Sequence, residues 1–207
     1  MKNRLFFILL NIFLLQALYA NADGDTDELV RLLKNYESLS GDFSQSLVNE
    51  KGEQLQNSSG AFLLKKPGFF YWDTQAPFPQ LVVSDLVNVW LYDPDLEQVT
   101  IRPYEQVIDQ SPALLLSGNA DKIKQNYTVN KLDKTPLAFE LIPLASDSPF
   151  THLQLQFNRG IIEQMQLRDS LEQTTTFSFS SVALNPKLDS KRFQFTPPEG
   201  VDVLVDQ

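Results

Sequence analysis

The side chains that most often carry catalysis or bind metals are sparse in this sequence. The chain has one histidine, His152, and no cysteine. The alternation of apolar and polar residues places His152 on the polar face of a strand, with no thiol partner and no serine in a nucleophile turn. A zinc site needs further imidazole or thiolate ligands. We therefore interpret His152 as a surface residue and predict no catalytic residue there.

Two acidic clusters have the composition of cation sites. One, Asp93–Glu97, surrounds a proline turn, where aspartate is favoured for backbone reasons. The other, Asp23–Asp27, has the spacing that opens a calcium-binding loop, but Glu28 and Lys34 stand where that loop requires glycine and glutamate. We predict no metal site, no cofactor and no enzymatic activity from these residues.

The most informative feature is an apolar stretch, Gly60–Ile101, with the pattern of consecutive short strands. An antiparallel sheet with one face in water alternates apolar and polar residues, whereas Phe69–Trp72 carries aromatic side chains on both faces. Both faces must therefore be covered. Helices over one face and a hollow on the other meet this requirement. A sandwich whose two sheets fill each other also meets it, and the pattern leaves both arrangements open.

Turn chemistry divides this stretch into strands. We expect Pro67 and Gly68 to be the two corner residues of the first turn, and the prolines of Asp73–Pro79 to break the next strand. The strands expected in the stretch are Phe62–Leu64, Phe69–Trp72, Leu81–Val83, Val89–Tyr92 and Gln98–Ile101. Those expected elsewhere are Asp42–Val48, Gln54–Gly60, Tyr127–Val129, Ala138–Ile142, Thr151–Asn158, Ile161–Arg168, Thr174–Leu184 and a last short strand with Phe193 and Phe195.

Two helices are expected to cover the sheet. Asp25–Leu39 begins with Asp25 as a helix cap and is expected to end before Gly41. Its apolar stripe consists of Leu29, Leu32, Leu33 and Tyr36. The second helix, Ser111–Gly118, has a serine cap, a proline in its first turn and a terminal glycine. Its three adjacent leucines cannot all face one sheet, so this helix is buried or covers something apolar.

These elements predict a mainly β fold. About eleven short strands follow one another without a repeat or a linker, which favours one domain over residues 23–207. The expected architecture is a curved antiparallel sheet that forms an incomplete, open β-barrel, with helices as a lid at its mouth.

The first 22 residues, Met1–Ala22, have the pattern of a secretory signal peptide. Lys2 and Arg4 precede an apolar run, and small residues precede the expected cleavage after Ala22, with Ala20 as the alternative position. The absence of cysteine excludes disulfides and a lipid-modified N-terminus. A formal charge of −9 disfavours nucleic acid and anionic bilayers as partners.

An apolar concavity is the candidate binding site. Its expected lining residues are Phe70, Trp72, Val82, Trp90 and Tyr92. The residues expected to cap it are Leu114, Leu115 and the stripe of the first helix. Lys66 stands at a strand end, where its ammonium can bond carbonyls of the covering helices, although an ordinary charged turn residue is the alternative interpretation.

Several segments together resemble one protein family, the outer-membrane lipoprotein carriers of the Lol pathway. The resemblance covers nearly the whole mature chain in the same order. The segments that carry it are Asp42–Gln45, Lys65–Trp72, Val83–Asp85, Trp90–Gln98 and Phe195–Val201.

The resemblance implies an open barrel closed by a helical lid, with an interior that takes lipoprotein acyl chains. It implies a periplasmic, monomeric shuttle, not stably inserted in a membrane, that moves acylated lipoproteins from an inner-membrane ATP-driven transporter to an outer-membrane receptor. Lys66 occupies the position of the family arginine that latches the lid, and Phe70 that of its rim aromatic. Leu86 stands where the family tends to have glycine.

Two other functions stay open on the sequence alone. One is a periplasmic sensor or regulatory module that uses a similar lipid-binding half-barrel to bind a membrane protein. The other is an enzyme that acts on glycans or lipids. Mislocalised lipoproteins after depletion of the protein would favour the carrier, whereas an altered stress response with normal sorting would favour the sensor.

Overall fold

The computed structural model of the chain describes residues 24–107, 112–117 and 120–206. The predicted signal peptide, Met1–Ala22, lies outside these residues, as do Ser111 and Gly118 at the ends of the second predicted helix. The described strands form one sheet, and helices pack against one of its faces. We call the face that carries Phe70 and Trp72 the inner face, and the opposite one the outer face.

Twelve strands form the sheet, in the order β12-β6-β5-β4-β3-β2-β1-β11-β10-β9-β8-β7. They are β1 Ser38–Val48, β2 Gln54–Lys65, β3 Phe69–Ala76, β4 Gln80–Ser84, β5 Asn88–Asp93, β6 Gln98–Pro103, β7 Tyr127–Lys134, β8 Leu137–Pro143, β9 Phe150–Asn158, β10 Ile161–Asp169, β11 Thr174–Leu184 and β12 Asp202–Val205. All pairings are antiparallel except that of β12 with β6. The sheet does not close, since β12 and β7 are its two edges. The mainly β, open architecture is therefore confirmed, and the two-sheet sandwich is wrong.

The helices are short. They are α1, residues 24–34, α2 Tyr104–Val107, α3 Pro112–Ser117 and α4 Ile123–Asn126, with 3₁₀ turns at Ala120–Lys122 and Ser190–Phe193. In the described residues no helix is long and apolar enough to span a bilayer.

The first helix ends earlier than predicted. Residues 35–39 were expected to be helical, but β1 begins at Ser38, and Leu39 pairs with strands on both sides, opposite Leu64 and Leu184. Gly41 lies inside this strand and does not cap a helix. The two ladders satisfy the backbone groups that a further helical turn would have used, so tertiary pairing overrides the helical periodicity.

Asp25 does not cap α1 either. It lies within the helix, and its Oδ2 accepts a hydrogen bond from the backbone N–H of Lys131 at 2.9 Å. The carboxylate therefore joins α1 to strand β7, a long-range contact that a local capping pattern cannot predict.

Three other boundaries differ from the prediction. The turn between β2 and β3 is closed by Gly68 N–H and Lys65 C=O at 3.3 Å, so Pro67 is its third residue and Gly68 its fourth. Strand β3 continues to Ala76 before its break. Phe193 and Phe195 do not form a strand: the chain makes a 3₁₀ turn at Ser190–Phe193, and β12 is the last strand.

The main core lies on the inner face and draws on both halves of the sheet. Its fully buried large side chains include Phe62, Leu64, Phe139, Leu141 and Phe157. A close approach at Gly60 helps to build it. A Cβ at this position would lie 1.9 Å from the carbonyl oxygen of Asp73 and 2.8 Å from the ring of Phe43. Glycine is therefore required here for the ring of Phe43 to reach the core.

The C-terminal segment covers part of the outer face. Phe193 is fully buried and lies 5.4 Å from Phe69 between ring centroids. Phe195 lies 5.6 Å from Tyr92 and 6.5 Å from Trp90. Arg192 stands over the ring of Tyr71 at 5.6 Å. The apolar outer face of β3, β4 and β5 is thus covered by irregular chain.

Candidate functional site

The inner face is covered by a helical lid, which we define as α1 and α3. From the apolar stripe predicted for the first helix, Leu29 and Leu33 are buried, and Leu32 packs against the core while partly exposed. Tyr36 follows the end of α1 and is also buried; its hydroxyl donates a hydrogen bond of 2.9 Å to the carbonyl oxygen of Leu116 in α3. Burial raises the pKa of Tyr36 above its ordinary value, so the hydroxyl keeps its proton and joins the two parts of the lid.

Trp72 is the centre of the aromatic cluster beneath the lid. Its ring stacks on Phe43 at 4.1 Å and on Phe70 at 5.7 Å, with an angle of 3° to the ring of Phe70. Phe62 stacks at 5.8 Å, and Phe177 meets the ring edge-on at 5.5 Å. With the lid closed, side chains of the protein itself surround Trp72, which is 7% exposed.

The strand register separates the five predicted lining residues into two groups. Trp72 pairs with Val82, and Phe70 lies on the same face two residues before Trp72. Trp90 pairs with Val83, whose side chain lies on the face opposite to that of Val82. Trp90 and Tyr92 therefore point to the outer face. The prediction that they share a face with Phe70 and Trp72 is therefore wrong.

Val89 and Leu91 are the inner-face residues of β5 that sequence reasoning missed, since they pair with Ser84 and Val82, which lie opposite Phe70 and Trp72. The alternation of β5 shows two apolar faces and gives no preference between them. The choice depends on the turn between β4 and β5, in which Leu86 has a φ of 79°. Glycine is the usual residue in this conformation, so the turn has a glycine-like backbone with a leucine in it.

The short helix α3 contributes Leu115, which packs against the main core, and Leu116, which is 1% exposed. The side chain of Leu114, the other predicted cap residue, lies outside the described residues. Helix α3 contacts β2 and β3, so it stands over the strands that carry Phe62 and Phe70.

Lys66 lies where the sheet meets the end of α1. Its Nζ donates a hydrogen bond to the carbonyl oxygen of Leu33 and another, of 2.7 Å, to that of Tyr36. The ammonium also stands 4.0 Å from the centre of the Tyr36 ring. The Leu33 carbonyl is among the last of the helix, which have no partner within it. Lys66 therefore binds the free carbonyl end of the lid helix.

The charge of Lys66 is costly in this position. Its pKa is lowered to about 8, chiefly by burial; the carboxylate of Glu37 opposes this shift, and the nearby Lys34 adds to it to a smaller extent. The side chain remains mostly protonated near neutral pH, although its burial against the end of α1 removes part of its hydration.

A row of ion pairs fixes the other side of α1. Lys131 bonds Glu28 at 2.6 Å, and Lys34 bonds Asp121 at 2.7 Å. Lys124 also pairs with a carboxylate of the first helical turn, that of Asp27. Acidic residues near the N-terminus of α1 and a lysine at its C-terminus also suit the helix dipole. These pairs set the position of α1 along the segment 121–131.

No group of three or more histidine, aspartate or glutamate side chains among the described residues could hold a metal ion. His152 is exposed, and its Nδ1 contacts only the neighbouring hydroxyl of Thr151 among the hydrogen bonds described for it, at 3.1 Å. What the arrangement can do is expose or cover apolar surface, by breaking and remaking the polar contacts at the ends of the lid.

The sequence matches a family profile described as outer membrane lipoprotein carrier protein LolA over residues 34–196. A relative from Azotobacter vinelandii, named outer-membrane lipoprotein carrier protein, is 42% identical over 205 residues, which is 96% of this chain and 99% of the relative. A relative of the same name from Chromohalobacter salexigens is 41% identical over 182 residues, 87% of each chain.

Solved structures share the fold at low sequence identity. An uncharacterised conserved protein from Thermus thermophilus superposes with a TM-score of 0.54 and 10% identity, covering 87% of this chain and 98% of its own. A LolA superfamily protein from Nitrosomonas europaea gives a TM-score of 0.50 at 11% identity, covering 84% and 97%.

Proposed function

Because the chain belongs to the LolA family of outer membrane lipoprotein carriers, we propose that it is a periplasmic chaperone that shuttles acylated lipoproteins. It takes them from an inner-membrane transporter and delivers them to an outer-membrane receptor. The observation that carries this proposal is the lid itself: α1 covers an aromatic inner face and is held at its C-terminal end by Lys66. The predicted signal peptide and the mature domain from Asp23 belong to the same proposal.

The physical task explains why a lid is useful. Each acyl methylene in water costs about 0.8 kcal/mol, so the chains of one lipoprotein cost tens of kcal/mol to expose. A carrier must hide this surface and yet release it. In the closed state the lid residues Leu29, Leu33 and Leu115 already pack on the inner face. An incoming acyl chain therefore replaces lid contacts, and the return of those contacts offsets part of the cost of release.

We place the acyl chains against the inner face, between the sheet and the lid. The residues proposed to contact them are Phe70, Trp72, Val82 and Leu91 on the sheet, with Leu114 and Leu115 in the lid. Lys66 acts as the latch, and Leu29, Leu32, Leu33 and Tyr36 form the apolar side of the first lid helix. Trp90 and Tyr92 have no place in this site, because they face outward.

The two tryptophans of the chain provide the test. Trp90→Phe leaves Trp72, on the inner face, as the only tryptophan, and Trp72→Phe leaves only Trp90, on the outer face. Bromine quenches a tryptophan that it contacts, so a fatty acid brominated along its chain should quench the fluorescence of the Trp90→Phe variant and leave that of the Trp72→Phe variant nearly unchanged.

An unbrominated fatty acid of the same length is the control for general effects of binding. Equal quenching of both variants would contradict the placement of the acyl chains. No quenching of either variant, together with failure to recover acylated lipoproteins bound to the wild-type protein, would contradict the carrier function.

A further inference from the structure

Strands β10 and β11 pair along only half of their length. Their ladder begins at Arg168 and Thr174 and ends at Gln164 and Ser178. Beyond this point β10 continues back to Ile161 and β11 continues to Leu184. The pairing of β10 with β11 therefore stops while both strands remain extended.

Each strand keeps its other neighbour in the region where the two separate. In β10, Ile161 and Ile162 still pair with β9, and in β11, Phe179 and Ser180 still pair with β1. Bulges mark the divergence: the register of β10 shifts between Ile162 and Gln164, and Ser181 has a φ of 53°. The two strands thus bend apart within an otherwise continuous sheet.

A cleft of about 290 Å³ fills the separation. Its lining includes Ile162 and Phe179, which are also members of the main core beneath the lid. Polar side chains lie at its mouth, among them Arg159 and Glu163, whose carboxylate accepts hydrogen bonds from two neighbouring amide side chains. The lining of the cleft therefore combines members of the main core with polar side chains.

The walls of the cleft are strand edges. In an antiparallel strand the N–H and C=O groups of successive residues point to opposite sides, so part of the backbone of 161–163 and 179–183 faces the cleft, where no ladder continues. Such edges recognise extended peptide by adding a strand. At about 3.3 Å per residue, the three residues of β10 beyond the ladder span about 10 Å, which suits a short segment only.

We propose that the cleft between β10 and β11 binds a short extended peptide through its backbone, namely the residues that directly follow the acylated end of a bound lipoprotein. This inference rests on the proposed carrier function. A chain whose lipid lies beneath the lid has to leave the interior, and Ile162 and Phe179 belong both to the core beneath the lid and to the lining of the cleft. Because backbone groups do the binding, the cleft accepts segments of different sequence.

Amide hydrogen exchange of the full mature protein tests the proposal. The probe is a synthetic lipopeptide with a diacylglyceryl-cysteine followed by a short peptide. We expect it to slow exchange at Ile162 and at those amides of residues 179–182 that point into the cleft and not towards β1. Diacylglycerol, which has no peptide, and the same lipopeptide with N-methylated peptide bonds should not slow it. Amides in the paired part of the ladder, such as that of Leu167, should be unaffected by any of them.

Two substitutions provide a matched pair. Ser178 and Ser180 are both exposed on the outer side of β11, but only Ser180 lines the cleft. Ser180→Trp should weaken lipopeptide binding about tenfold, or about 1.4 kcal/mol, and leave diacylglycerol binding unchanged. Ser178→Trp should alter neither affinity.

The outcomes separate this inference from the function on which it rests. A lipopeptide that binds without slowing exchange in the cleft, or that is equally protective when N-methylated, overturns the peptide site and leaves the carrier function intact. Failure of both the lipopeptide and diacylglycerol to bind overturns the carrier function and the peptide site together.

Discussion

Replacing Lys66 with methionine tests whether this residue holds the lid closed. Methionine keeps an unbranched apolar side chain but removes the ammonium that donates to the carbonyl oxygens of Leu33 and Tyr36. The core beneath the lid is unaltered by this change. We therefore expect Lys66→Met to fold normally and to raise the open population.

The size of this effect follows from the two lost hydrogen bonds. A bond from a charged donor contributes about 1.5–3 kcal/mol. Lys66 is only partly buried, and its desolvation opposes closure, so we take about 1.5 kcal/mol for the pair of bonds. This corresponds to about a tenfold larger open population. If only the open form binds a fatty acid, the apparent affinity rises by the same factor.

Titration with a fluorescent fatty acid measures the affinity, and amide exchange in α1 measures lid opening independently. Lys65→Met is the matched control, because it removes the same charge one residue earlier in the chain. Lys66→Arg retains the donors and should stay near the wild-type affinity. If Lys66→Met and Lys65→Met bind the fatty acid equally well, Lys66 does not latch the lid.

Three further predictions concern pH, the ion pairs and the packing of the sheet. Burial lowers the pKa of Lys66 to about 8, whereas opening returns it towards its ordinary value near 10.5. Between these two pKa values the open form thus binds more protons than the closed form. Raising the pH from 7 to 9.5 should therefore favour the closed lid and weaken fatty-acid binding. The Lys66→Arg variant should lack this dependence of binding on pH. A double-mutant cycle in urea denaturation should give a coupling free energy of about 1 kcal/mol between Glu28 and Lys131. The ion pair that Asp121 forms with α1 is more exposed and should give a coupling free energy below about 0.5 kcal/mol. Equal couplings would contradict the role of burial. Gly60→Ala should lower the free energy of unfolding by about 3 kcal/mol, because its Cβ would lie 1.9 Å from a backbone oxygen, and a loss below about 1 kcal/mol would contradict that close approach.

Local patterns predicted most of the sheet correctly. The strands from β1 to β6 follow one another as neighbours, and so do those from β7 to β11, as expected for short strands joined by turns. The pairings outside these two runs of neighbouring strands are long-range. The pairing of β1 with β11 and the parallel addition of β12 to β6 join distant parts of the chain, and no alternation of apolar residues identifies such partners.

The candidate site was predictable to the same degree. The position of Lys66 next to a strand end suggested contact with helix carbonyls, and the structure has one such contact, to Leu33 of α1, and another to Tyr36 just after the helix. The faces of β5 were not predictable, since Trp90 and Leu91 are equally suited to burial and the intervening turn decides between them. Likewise, Leu39 fits a helical stripe and a strand, and pairing on both sides selects the strand.

The seam between β1 and β11 has a consequence for the order in which the chain can assemble. Hairpins of the strands β1 to β6 can form as soon as their residues have been synthesised, because each strand follows its partner closely. Strand β1, however, must wait for residues 174–184 before its second edge is paired. Until then an extended hydrogen-bonding edge stays exposed to other chains. The nascent protein is therefore most vulnerable to aggregation until nearly its whole chain has been synthesised.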